Sequence, residues 1–313
     1  MPFRSGGLSA ASELMPNTVE LRGIHKTYDH FVAVDHLSLM IREGGVYGLL
    51  GPNGAGKTSS IRMMIGITIP DEGEVWLFGE KFHRAQLQRV GYLPEERGLY
   101  KRMKVMDHLV FLGRLHGLSA DESRRRSVAW CERLQIADWM EKKVEELSKG
   151  MQQKIQFIAA LLHDPDLLIL DEPFSGLDPS NAVMLKDVMV ELNKAGKTIL
   201  FSTHRMDQVE RLCDSICLID RGRSVLEGDL KKIKASYGKN MVQVQYEGEP
   251  PFDHCDMVEA VNNYGNYVEA RLKPGTDPQR LLQMACQRSR ISRFELMEPS
   301  LEDIFIDTVK QNA

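Results

Sequence analysis

The stretch GPNGAGKT, Gly51 to Thr58, constrains this chain more than any other. It matches G-x-x-x-x-G-K-[ST]. It follows a short apolar run, Val46 to Leu50, and precedes Ile61, Met64 and Ile65 at helical spacing. A strand that runs into a glycine-rich turn and then into a helix builds a cradle for phosphate. Glycines let successive backbone N–H groups turn inward, and the helix N-terminus adds positive potential. Nucleotide contacts are therefore assigned to Gly51, Pro52, Asn53, Gly54, Ala55, Gly56, Lys57, Thr58 and Ser59. Lys57 is placed to reach the β- and γ-phosphates, and the Thr58 hydroxyl to hold Mg2+. A mere glycine-rich turn would not need strand, loop and helix in this order.

A second apolar run, LLILDE from Leu167 to Glu172, ends in paired carboxylates. At the edge of a phosphate site, Asp171 would help bind Mg2+ and Glu172 would orient and polarise an attacking water. Many strands end in an Asp-Glu turn, so the pair says little alone. Downstream of the phosphate loop it completes a P-loop NTPase, with ATP and Mg2+ as the implied ligands.

The fold class read from the whole pattern is α/β. It comprises a P-loop NTPase core with an antiparallel β subdomain and a helical subdomain, followed by a small C-terminal α+β domain. Alternation in TVELRGI and HFVAVDHLSLMI predicts half-buried antiparallel strands near the start. LLILDEP and TILFSTH read as buried parallel strands. Residues 1–16 are expected as a flexible tail and 17–239 as the ATPase domain, with a helical insert at about 101–146. Residues 240–313 are expected as the accessory domain, because MVQVQY, YVEARL and ISRFELM alternate like strands around a helical DPQRLLQMACQ. Ser119 and Ser300 are predicted helix N-caps, and Arg124 to Arg126 a solvated helix face. With 42% hydrophobic and 27% charged residues the composition is that of an ordinary globular protein. The net charge of −4 gives no bulk attraction to nucleic acid, and no nucleic-acid partner is expected. No run approaches the ~18 apolar residues of a membrane span. Cys213, Cys217 and His204 do not complete a zinc ligand set, so the thiols read as buried and the compartment as reducing.

LSKGMQQ, Leu147 to Gln153, lies just before the second carboxylate strand. Here the chain resembles the ATP-binding subunits of ABC transporters, from Val19 to about Asp229. That family's signature reads L-S-G-G-Q; this chain keeps Leu147, Ser148 and Gly150 and departs at Lys149 and Met151. The resemblance implies that Ser148 and Gly150 face the γ-phosphate of an ATP held by the opposite subunit. Backbone N–H groups, the serine hydroxyl and the helix dipole supply that attraction, and all are preserved. The resemblance also assigns FSGLD, ending at Asp178, to the loop linking the two sites of a dimer. His204 matches the switch histidine at the γ-phosphate, and Tyr28 the aromatic that stacks on adenine. In GYLPEERGLY, Glu95 stands where the family has glutamine, and takes over its catalytic and Mg2+-binding roles with a changed charge. Arg97 to Tyr100 match contacts to a membrane subunit.

Glu95, Lys149 and the terminal PSLEDIF resemble one subset of the family. Its members serve separately encoded multi-span permeases and mostly act in efflux, including sodium extrusion and drug resistance. The implied protein is the ATP-hydrolysing subunit of an export system, on the cytoplasmic face of the membrane through its permease. Its other partner is a second ATPase subunit, a homodimer in preference to a heterodimer. Two rival readings stay open. One is a non-transport ABC ATPase acting on ribosomes or DNA, against which the single cassette and the lack of a long coiled-coil insertion count. The other is a regulatory nucleotide-binding module with little turnover, against which Asp171 and Glu172 count.

Overall fold

The computed structural model of the protein describes residues 17–96, 98–253 and 255–312, the side chains of 310–312 excepted. The expected tail at 1–16 and Arg97 lie outside the described residues. The chain divides into two compact units, Met1–Glu227 and Gly228–Ala313.

The first unit begins with β1 (Asn17–Tyr28) and β2 (Phe31–Arg42), followed by β3 (Val46–Leu50) and the helix α1 (Lys57–Met64). The short strands β4 (Glu72–Leu77), β5 (Glu80–Lys81) and β6 (Val90–Leu93) lead to α2 (Val105–Leu115) and α3 (Ala120–Arg133). Then come α4 (Lys149–Leu161), β7 (Leu167–Asp171), α5 (Pro179–Lys194), β8 (Thr198–Thr203), α6 (Met206–Leu212) and β9 (Ser215–Asp220). β10 (Arg223–Asp229) crosses the division of the chain.

Two sheets form. The antiparallel one runs β2-β1-β4-β5, and the other runs β10-β9-β3-β8-β7-β6. In the second, β3 pairs in parallel with β8 and β9, and β7 with β6 and β8. β3, β7 and β8 are buried at every residue, as apolar runs without alternation require. β2 alternates buried and exposed residues instead, because one of its faces meets solvent. α1 contacts β1, β2, β4 and β7, and its Ile61, Met63 and Met64 join one core with Val19, Leu39, Leu49 and Ile169. Both sheets are thereby anchored to the helix that follows the glycine-rich loop.

α2 and α3 pack on each other and on α4. Ser119 caps α3 by accepting from the Glu122 N–H at 3.1 Å, as its sequence predicts. On the Arg124–Arg126 face, Arg125 and Arg126 both pair with Glu122, and Arg126 also donates to Leu162 O at 2.8 Å. α4 is buried more widely than one apolar stripe allows. Phe157, Ala160 and Leu161 are covered along with Ile155 and Ile158, and so are Gln153, Lys154 and Gln156. Each of these polar side chains reaches a backbone carbonyl, which offsets its desolvation.

The second unit starts at Gly228, ahead of the accessory-domain start expected at 240. α7 (Leu230–Tyr237) belongs to it, with Leu230 and Ile233 buried and the Tyr237 hydroxyl 3.2 Å from Thr308 Oγ1. After it come β11 (Met241–Gly248), β12 (Val258–Asn263), β13 (Tyr267–Leu272), α8 (Pro278–Arg288), β14 (Ser289–Met297) and α9 (Leu301–Asn312). The antiparallel sheet runs β12-β13-β11-β14, and α8 buries Leu281 and Ala285 in its core. Ser300 Oγ accepts from the Asp303 N–H at 3.1 Å, the expected cap of α9. Among the described residues, no helix is long and apolar enough to cross a membrane.

His108 of α2 is fully buried, and neither ring nitrogen has a hydrogen-bond partner. Burial holds its pKa down at about 4 from 6.5. The unfolded chain then takes up a proton that the folded chain refuses, so this contribution to stability is lost as pH falls from 6.5 to about 4. The expected outcome for His108→Leu is a shallower fall of thermal midpoint across that window, read by circular dichroism against pH.

Candidate nucleotide site

β3 delivers the chain to the loop, and the loop's geometry excludes side chains at two points. A Cβ on Gly51 would sit 2.2 Å from Ile219 O, and one on Gly56 2.4 Å from Ala33 O. Both residues also have positive φ, 151° and 108°, which glycine alone adopts without strain. The loop is thus pressed against β2 and the end of β9. Lys57 opens α1 and folds back, its Nζ donating to Gly51 O at 2.8 Å and Pro52 O at 3.0 Å. Burial draws the Lys57 ammonium below its usual pKa, while Glu172, Asp171 and Glu95 pull it back up.

One pocket of about 320 Å³ gathers Tyr28, Asn53, Gly54, Gly56, Lys57, Thr58, Ser59, Glu95, Asp171 and Glu172. Phe31 and Ala33 line it as well. Phe31 was not legible as a site residue, although its signal is local. It pairs with Tyr28 across a tight turn and is 60% exposed, so two aromatic rings stand at the pocket mouth. Lys26 Nζ lies 5.7 Å from the Tyr28 ring centroid. Gly51, Pro52 and Ala55 shape the loop from behind without being among the lining residues.

The carboxylates are held by β8. Ser202 Oγ donates a short hydrogen bond to Asp171 Oδ1. Asp171 Oδ2 is buried without a hydrogen-bond partner. A buried, unpaired carboxylate oxygen in a pocket that a threonine and a second carboxylate also line suits a Mg2+ ion, so Thr58, Asp171 and Glu95 fit it. Burial and the nearby Asp171 and Glu172 raise the Glu95 carboxyl above its usual range, which a bound cation would reverse. Glu172 has φ of 49°, a left-handed conformation rare for a residue with a side chain. Its Oε1 accepts from the His204 N–H at 3.1 Å and lies 2.8 Å from His204 Nδ1. Its Oε2 accepts from Thr203 Oγ1 at 3.3 Å. His204 therefore orients Glu172 directly. Ser202 and Thr203 were missed as site residues, though they end the strand just before His204.

Ser148, Gly150 and Asp178 do not line this pocket. Ser148 is exposed and caps α4, its Oγ accepting from the Met151 N–H at 3.3 Å. A Cβ on Gly150 would meet Leu177 Cδ2 at 3.6 Å and Gly176 O at 3.7 Å, so the signature start packs beside FSGLD. Asp178 caps α5, accepting from the Asn181 N–H at 2.9 Å. Cys217 is buried, as expected of a structural thiol, and Cys213 is largely covered.

Fold and pocket together define a P-loop ATPase. Residues 34–175 match the ABC transporter family, and residues 228–309 match the C-terminal domain of DrrA1-3-like ATP-binding proteins. The ABC transporter ATP-binding protein YhaQ of Bacillus subtilis is 45% identical over 91% of this chain and 96% of its own. The Nod factor export ATP-binding protein I of Burkholderia lata is 39% identical over 92% of this chain and 95% of its own. The solved structure of an ATP-binding subunit of an ABC transporter superposes with a TM-score of 0.65 at 30% identity, over 71% of this chain and 93% of that one. The chain belongs to the ATP-binding subunits of ABC transporters.

Ser202→Ala removes the hydrogen bond that aims Asp171. The expected result is that half-maximal ATP turnover needs about 10–100-fold more Mg2+, with near-unchanged ATP binding in its absence. A Mg2+ titration of steady-state turnover reads this.

Proposed function

We propose that this subunit hydrolyses Mg2+-bound ATP at a site completed by a second copy of the chain, and that closure and opening of the pair drive an export permease. The observation that carries the proposal is the convergence of Lys57, Asp171 and Glu172 on the pocket formed by the glycine-rich loop. Water attacks the γ-phosphorus in line, the bond to the β–γ bridging oxygen breaks, and ADP leaves with that oxygen. Glu172 holds and polarises the water and takes its proton, while His204 and Thr203 fix the two carboxylate oxygens. The Nε2 of His204 is the atom assigned to the γ-phosphate. Lys57 balances charge on the β- and γ-phosphates. Mg2+, held by Thr58, Asp171 and Glu95, would neutralise the remaining phosphate charge.

The signature is assigned to the partner's nucleotide. Exposed Ser148, with Gly150, leaves the N-terminus of a 13-residue helix open to an incoming anion. Lys149 adds charge of the right sign, and Asp178 follows the loop on which Gly150 packs. Coupling then has a physical route. Gln156 Nε2 of α4 donates to Glu96 O at 3.3 Å, beside Glu95. Lys154 Nζ of the same helix donates to Leu134 O at 2.9 Å, within the helical insert. A shift of Glu95 on ATP binding therefore moves α4, and with it the surface offered to a membrane partner. Export is supported by the Nod factor export relatives, and docking of the subunit on the cytoplasmic face of a multi-span permease follows from it.

Glu172→Gln is expected to lower turnover at least about 1,000-fold while keeping ATP binding. It should also accumulate an ATP-dependent dimer on size exclusion and bring a multi-span membrane protein with it from detergent-solubilised membranes. Near-native turnover, or an ATP-independent monomer, would contradict the proposal.

A further inference from the structure

The nucleotide site leaves one chemically capable cluster unused. His25 on β1 and Asp35 and His36 on β2 each bring one ligand atom within 4.8 Å of the others. His36 Nδ1 lies 2.8 Å from Asp35 Oδ1, and His25 Nδ1 lies 3.5 Å from the same oxygen. Metal–ligand bonds of about 2.0–2.2 Å put neighbouring donors ~2.9–3.4 Å apart, and the two observed separations bracket that range.

The outer nitrogens of both rings are already engaged. His25 Nε2 is 3.1 Å from Thr27 Oγ1, and His36 Nε2 is 3.5 Å from Glu72 Oε2. Both Asp35 Oδ1 and Glu72 Oε2 can only accept, so a metal ion at Nδ1 would displace the proton His36 shares with Asp35 and keep the Nε2–H toward Glu72. This is the outer arrangement that orients histidine ligands in metal sites. Arg223 takes Asp35 Oδ2 at 2.6 Å and leaves Oδ1 to the imidazoles.

An ion pair between protonated His36 and Asp35 explains only part of this. Asp35 does raise the His36 pKa, and His36 and Arg223 hold Asp35 down at about 2. His25 is the residue that such a pair leaves unexplained. Its Nδ1 is buried without a hydrogen-bond partner while facing a carboxylate oxygen. His36 also has φ of 53°, a strained backbone that turns its ring toward Asp35 and His25.

We propose that His25, Asp35 and His36 bind a divalent transition-metal ion of the Zn2+ or Ni2+ kind, with water in the remaining positions. Two imidazoles and one carboxylate suit those ions, whereas Mg2+ and Ca2+ prefer oxygen donors. Two backbone hydrogen bonds link the site to the phosphate loop. The Asp35 N–H donates to Gly222 O at 2.9 Å, and the Gly222 N–H donates to Ala55 O of the phosphate loop at 2.9 Å.

The test titrates Co2+, as a spectroscopic stand-in, into untagged full-length protein stripped with chelator, without nucleotide or Mg2+. The exposed Cys286 is replaced by serine throughout. The expected result is one equivalent bound with visible ligand-field bands, no thiolate-to-cobalt charge transfer, and no displacement by millimolar Mg2+. His25→Gln and His36→Asn should each weaken binding more than about 10-fold, asparagine being chosen because it tolerates positive φ. Thr27→Val keeps all three ligands and should weaken binding about 10-fold, a readout independent of any folding defect in the ligand variants. Absence of stoichiometric binding, a thiolate band, or equal affinity in parent and variants would overturn the proposal.

Discussion

The ammonium of Lys57 is the charge around which the first unit is arranged. It is buried against the carbonyls of Gly51 and Pro52, and it faces Asp171, Glu172 and Glu95. A buried ammonium is tolerated only when its protons are satisfied and opposite charge is near. Parallel pairing provides that charge, because the strand order places β7 beside β8 and β8 beside β3. The carboxylates at the end of β7 are thereby brought to the loop at the end of β3. Three carboxylates then face one lysine, and burial first, with Asp171 and Glu172 after it, raises the Glu95 carboxyl above its usual range. That imbalance suits a site awaiting a divalent cation.

α4 carries the consequences outward. Its polar residues Gln153, Lys154 and Gln156 bind carbonyls of Pro173, Leu134 and Glu96 in turn. One helix is thus tied to the catalytic strand, the helical insert and the loop of Glu95. Ser148 caps the same helix, so under the proposed mechanism a change at the loop of Glu95 would reach the group offered to a second subunit. Weakly bonded loops would not transmit this; a helix fixed at three backbone points can.

Much of this was legible in sequence because the local rules agreed with one another. The phosphate loop, the strand leading into Asp171 and Glu172, and the caps at Ser119 and Ser300 rest on residue chemistry that acts within a few positions. β12 escaped because it is an edge strand with only Val258 buried, so it shows no alternation. That α7 goes with the second unit escaped because it is amphipathic like any helix, and its partner Thr308 lies far along the chain. Phe31, Ser202 and the His204–Glu172 contact depend on which strands become neighbours. The polar burial of α4 likewise needs the carbonyls it meets, which no periodicity encodes.

The central claim is that each nucleotide site is shared between two copies of this chain. Mixing two inactive proteins tests it most directly. Lys57→Ala loses the phosphate loop but keeps the signature, and Ser148→Arg keeps the loop but blocks the signature. Steady-state ATP turnover is measured for each alone and for their equimolar mixture. The account predicts negligible turnover from either alone and recovery in the mixture, where one site per mixed dimer is whole. A mixture no more active than its parts, or a Ser148→Arg protein that turns over unaided, would contradict it.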